Sequence, residues 1–179
     1  MSFKAIGRGL IEILVLLGLA VLLSQGIRTF LIEPYLVPTG SMIPTIELRD
    51  RVLANKLPFW FGKEPQRGDV VVFDDPTGDY PQLIKRVVAV AGDVVDLKDG
   101  AFYLNGEPVD EWYVHGKETM PLSTDIVFPL QIDEGYVLMM GDNRLQSLDG
   151  RAFGPTPISE VNGRAFWTYW PPDRFGALK

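Results

Sequence analysis

The hydrophobic pattern divides the chain near residue 30. Residues 13–23 form an unbroken apolar run, and with its flanks (residues 5–31) it is long enough for a helix that crosses a bilayer core of about 30 Å. After Thr29 the texture changes to short alternating segments bounded by turn residues, the pattern of strands. Residues 35–37 and 50–56 read as short strands, and residues 70–73 (Val-Val-Val-Phe) as a buried strand that ends in the turn 74–78. Between them Phe59, Trp60 and Phe61 follow one another in a turn. They either fold back on the core or dip into a membrane interface. The tripeptide Arg67-Gly68-Asp69 is accounted for as a turn before a strand.

Residues 83–93 are the most unusual strand. Alternation puts Leu83, Lys85, Val87 and Ala89 on one face and Ile84, Arg86, Val88 and Val90 on the other. Both faces are otherwise apolar, which predicts a central strand with two cations inside it. An edge strand guarded by lysine fits poorly with that company. Residues 94–110 read as hairpins, with Asn105-Gly106 as the strongest turn signal. Residues 111–130 lack periodicity and are expected to be an exposed excursion. Residues 135–141 form a strand that leads into the polar loop 142–151, and residues 167–170 are expected to close the sheet.

For the N-terminal segment three readings stand: a retained anchor, a cleaved signal with small residues around Ser24-Gln25-Gly26, and a buried core helix. Lys4 and Arg8 before the apolar run favour a cytoplasmic N-terminus and an exported body.

Composition narrows the chemistry. A net charge of −6 gives no footprint for nucleic acid. With no cysteine, thiolate catalysis and cysteine-ligated metals are excluded, and a single histidine, His115, rules out a multi-histidine metal site. No metal and no cofactor is expected. His115 lies in unpatterned sequence and no Gly-x-Ser-x-Gly elbow is present, which argues against a Ser/His/Asp triad. Asp142, Asn143 and Asp149 lack calcium-loop spacing. Charges in such a loop more often pair internally, as Asp149 would with Arg151.

Ser41 stands in Pro38-Thr39-Gly40-Ser41-Met42-Ile43-Pro44-Thr45, a loop stiffened by proline at both ends. Gly40 allows a close backbone approach just before the hydroxyl. Lys85 is the available activator. To take a serine proton it must be neutral, so its pKa must fall from about 10.4 to 7 or 8, which costs about 4 kcal/mol. Burial in an apolar strand supplies that shift, whereas the Arg86 guanidinium stays charged. A hydroxyl such as Ser147 would hold the amine in place. On residues alone, a Ser/Lys hydrolase and an anchored β-domain that only binds partners both remain open.

Four ordered blocks add to this: 38–45, Arg-Gly-Asp-Val-Val-Val-Phe at 67–73, Ile-Lys-Arg-Val-Val-Ala at 84–89, and Gly-Asp-Asn-Arg…Ser…Asp-Gly-Arg at 141–151. In order and spacing they resemble bacterial type I signal peptidase, over nearly the whole chain. The resemblance implies Ser41 as nucleophile and Lys85 as general base. It implies an oxyanion hole of the Ser41 N–H and the Thr39 hydroxyl, Ser147 beside the lysine, and Gly40 at the turn. Asp142, Arg144, Asp149 and Arg151 would be scaffold, while Leu36, Val37, Met42 and Ile84 would line shallow pockets for the small −1 and −3 residues of a signal peptide.

The implied fold is mainly β. It is an antiparallel, partly closed barrel-like catalytic domain over 31–179 behind a single transmembrane helix in 1–30, with a short accessory hairpin region within about 93–135. The implied partners are preproteins and the lipid of the plasma membrane, with the body on its outer face. A conjugation-type processing peptidase of the same Ser/Lys clan is the near rival. Leu145 departs from the acidic or amide residue common in that family.

Overall fold

Helix α1 (Phe3–Phe30) is built from the apolar run, and none of residues 9–27 is buried against the rest of the molecule. That excludes the core-helix reading. Its length and mean hydropathy suit a bilayer span. The computed structural model describes residues 3–178. One residue, Leu31, separates α1 from the first strand, β1 (Ile32–Leu36).

The body is an antiparallel β structure. After β1 come β2 (Arg51–Asn55), the short helix α2 (Leu57–Trp60), β3 (Val70–Asp74), β4 (Gln82–Val90), β5 (Val94–Lys98), β6 (Ala101–Leu104) and β7 (Glu107–Pro108). Then follow β8 (Leu130–Gln131), β9 (Tyr136–Met140), helix α3 (Gly150–Phe153), β10 (Thr156–Pro157), β11 (Val161–Trp170) and β12 (Gly176–Ala177). The main sheet runs β1-β2-β11-β3-β4-β9-β10, with β12 also on β11. A second sheet runs β7-β6-β5-β8. Its hairpins turn at Asp99-Gly100 and Asn105-Gly106, all four residues at positive φ, as tight two-residue turns require.

Alternation in β3 sets the layers. Val70 and Val72 face a cluster with Val37, Met42, Ile46, Val52, Ala54 and Ile84. Val71 and Phe73 face another with Val87, Val137, Met139 and Val161. A third cluster joins Val88, Ala89, Leu138 and Met140 of the main sheet to Val95, Leu97, Phe102 and Ile132 of the second. With both faces covered, the β-branched run of β3 is a central strand.

Three expectations are corrected. A bulge in β4 between Val87 and Ala89 shifts the alternation, so Val90 packs with Leu83 and Val87, and Ala89 joins Val88. Residues 167–170 do not close the sheet, because β11 lies between β2 and β3 in its middle. The stretch 111–130 is not simply exposed, since Glu111, Val114 and Thr119 are buried. The aromatic turn divides: Phe59 packs on the core while Trp60 and Phe61 stand in the open.

Candidate active site

Ser41 lies on the irregular segment between β1 and β2. Its neighbour Met42 is almost fully buried beside Val37, Ile46 and Ile84, and burying such a side chain stabilises the fold by about 1.5–3 kcal/mol. That anchor fixes the loop next to the hydroxyl. From the centre of the sheet β4 delivers Lys85, which pairs in register with Val71 of β3.

Lys85 Nζ is 2.8 Å from Ser41 Oγ and also donates to the Ile84 carbonyl at 3.2 Å. Lys85 is 1% exposed. Burial pushes its pKa down to about 8, against the pull of the Asp149 and Asp75 carboxylates, which favour the charged form. The pair can therefore exchange a proton near neutral pH. Thr39 Oγ1 lies 3.3 Å from Ser41 Oγ, on the loop that carries it. His115 is exposed, and no cluster suited to a metal ion occurs among the described residues.

Ser147 is placed differently from expectation. Its hydroxyl is buried, has no hydrogen-bond partner among the described residues, and packs over Gly141 rather than bonding the lysine amine. Gly141 is a residue that the sequence reading passed over. A Cβ there would run into Ser147 Oγ and the Ser41 carbonyl, so only glycine lets the two segments approach.

The other polar residues hold the loop 141–151. Arg86, the second cation of β4, forks onto Asp142 at 2.9 and 2.7 Å and lies 4.2 Å above the Tyr113 ring. Asp142 also accepts from Thr45 Oγ1 at 2.5 Å, which ties this loop to the segment that carries Ser41. Arg144 forks onto Glu111 and bonds Thr119. Arg151 pairs with Asp149 at 2.9 Å, and Asp149 in turn accepts the Gly141 N–H at 3.0 Å. Leu145, the departure noted above, points outward and is exposed.

A cleft beside Ser41 is lined by Tyr35, Leu36, Val37, Met42, Leu83 and Ile84. All four residues expected to line pockets are among them. Among the described residues the outer edge of β1 carries no strand, and β9 pairs with β4 only from Arg86 onward, so residues 82–85 make no ladder along that side. A second recess is lined by Ser41 and Lys85 themselves, with Asp75, Tyr80, Gln146 and Leu148 among its other walls.

A buried serine in contact with a buried lysine, beside a cleft on an antiparallel β scaffold, is an arrangement suited to serine peptidase chemistry. The family model described as "Signal peptidase, peptidase S26" matches residues 10–170, and the chain belongs to that family. It is 35% identical over 170 residues to signal peptidase I of Leptolyngbya laminosa, covering 90% of this chain and 80% of that one. It is 37% identical over 165 residues to thylakoidal processing peptidase 1 of Arabidopsis thaliana, covering 87% of this chain but only 47% of the plant protein. A solved signal peptidase I from Enterococcus faecalis superimposes with a TM-score of 0.49 at 27% identity, over 57% of this chain and 97% of that one.

Proposed function

We propose that this chain is a membrane-anchored serine endopeptidase that removes signal peptides from exported preproteins, cutting after small residues of the Ala-x-Ala type. The observation that carries the reading is the 2.8 Å contact between Ser41 and a lysine whose pKa burial holds near 8. Family membership and the relatives' names support the substrate.

The signal peptide lies extended along the edges of β1 and β4, with its −1 and −3 side chains toward Leu36, Val37, Met42 and Ile84. Ser41 Oγ attacks the scissile carbonyl while the neutral Lys85 takes its proton. The carbonyl oxygen, now negative, is held by the Ser41 N–H and the Thr39 hydroxyl, donors of a kind that contribute about 3 to 4 kcal/mol. Lys85 then passes the proton to the leaving amine, and water clears the acyl-enzyme by the reverse route. Residues 141–151 keep these groups in register. The proposed placement is a single pass of the plasma membrane, N-terminus in the cytoplasm, body on the outer face.

The experiment is cleavage of a preprotein carrying Ala-x-Ala by the full chain, Ser41→Ala and Lys85→Ala. Loss of cleavage in both variants with unchanged folding is expected; substantial turnover by either one would sink the dyad.

A further inference from the structure

Within the loop 141–151, Asn143 grips both carbonyls that flank the nucleophile. Its side-chain Nδ2 donates to the Gly40 carbonyl at 3.0 Å, and its backbone N–H donates to the Ser41 carbonyl at 3.0 Å. Its other amide end is also taken. Lys117 Nζ donates to Oδ1 at 3.2 Å, which turns the NH2 end toward Gly40, and Gln146 Oε1 accepts the remaining N–H at 3.5 Å. The residue is buried.

The Gly40 carbonyl belongs to the same peptide plane as the Ser41 N–H. In a planar trans unit the two point in opposite directions, so whatever fixes one aims the other. Gly40 permits that plane to rotate more freely than any other residue would. The Ile43 N–H also bonds the Gly40 carbonyl at 3.2 Å, but within the same short turn, which leaves the turn free to move as a unit. Asn143 is the bond that ties the plane to another part of the fold, 103 residues away in sequence. The Ser41 N–H itself has no partner among the described residues.

We infer that Asn143 is a positioning residue for the oxyanion site: by holding the Gly40 carbonyl it keeps the Ser41 N–H aimed at the oxygen of the tetrahedral intermediate. This rests on the peptidase reading above. The effect belongs to the transition state, because the donor matters most once the oxygen is charged.

The test compares the full-length enzyme with Asn143→Ala and with Asn143→Asp, which keeps the side-chain shape but cannot donate to Gly40. Turnover of a signal-peptide substrate should fall about tenfold or more in both, with KM little changed. Affinity for a peptide aldehyde, whose adduct puts an oxyanion in the hole, should fall by the same factor. Affinity for an uncleavable peptide analogue should hold in both, and the midpoint of the pH profile should hold in Asn143→Ala; the carboxylate of Asn143→Asp favours the Lys85 ammonium and raises the midpoint, so its kinetics are read on the pH plateau. Wild-type turnover in both variants overturns this inference alone. So does a loss of aldehyde and analogue affinity by equal factors, which marks a structural role. A wild-type chain that cleaves nothing overturns the function and this inference together.

Discussion

Lys85 Nζ sits 2.8 Å from Ser41 Oγ, and the burial that brings the two together also discharges the amine. Nearby carboxylates, Asp149 and Asp75, work the other way, since each favours the ammonium. The residual pKa near 8 is the balance of the two effects, with desolvation the larger.

That balance sets the pH profile. On the proposed mechanism the free base is the active form, so kcat/KM should rise with pH through a midpoint near 8 and level off above it. Asp75→Asn removes a charge that favours the ammonium and should move the midpoint down. Rates on a soluble peptide substrate between pH 6 and 10 check both; a midpoint near that of a free lysine, about 10.4, would contradict the burial argument.

Lys85 also weighs on stability. Folding lowers its pKa from about 10.4 to about 8, so over that window the unfolded chain holds a proton that the folded chain has released, and stability rises with pH. Below pH 8 both states are charged, and the fold carries the full penalty of about 3 kcal/mol. Lys85→Met should abolish cleavage, raise stability at pH 7 by about 1–2 kcal/mol and flatten the rise above pH 8. Urea unfolding in detergent at pH 7 and pH 9.5 measures it.

Gly141→Ala would force a methyl group against Ser147 Oγ and the Ser41 carbonyl. A stability loss of about 1–3 kcal/mol is expected from such overpacking, with turnover reduced at least as strongly because the displaced atom adjoins the nucleophile. Melting temperature and kcat of the purified variant report the two effects separately.

The exposed aromatics make a fourth case. Lys56 N donates to the Leu31 carbonyl at 2.9 Å, so α2 begins next to the point where α1 ends. On the membrane reading, Trp60 and Phe61 then stand at lipid height, where aromatic rings settle at the interface. Replacing both by serine should slow processing of a membrane-inserted preprotein several-fold and leave cleavage of a short soluble peptide unchanged. Equal rates on the two substrates would contradict the placement.

Much of this was legible in the sequence, and what was not has physical causes. The strands announced themselves through β-branched runs and turn pairs such as Asn105-Gly106, because those preferences are local. Lys85 stood out because a cation inside an apolar strand has few explanations. The partner of Arg86 was not legible: Asp142 lies 56 residues away, and no local pattern encodes a fork of that span. For the same reason Glu111 and Thr119 passed as an exposed excursion, although Arg144 draws them inside. The β4 bulge carries no glycine or other marker, so strict alternation misplaced Val90 and Ala89. Gly141 read as the end of a strand and Asn143 as a loop residue, because their work, close approach and a carbonyl grip, depends on which segment folds against them.

The short passage from α1 into β1 has one more consequence. With a single residue between helix and strand, no flexible tether separates α1 from the strand that leads to the cleft. Strand β1, five residues and about 17 Å long, runs directly from the helix end to the cleft wall at Leu36. On the proposed topology the chain works as a depth gauge. A peptide bond is cut at one height above the bilayer, so the length of a preprotein's apolar segment, as well as its small residues, decides which bond meets Ser41.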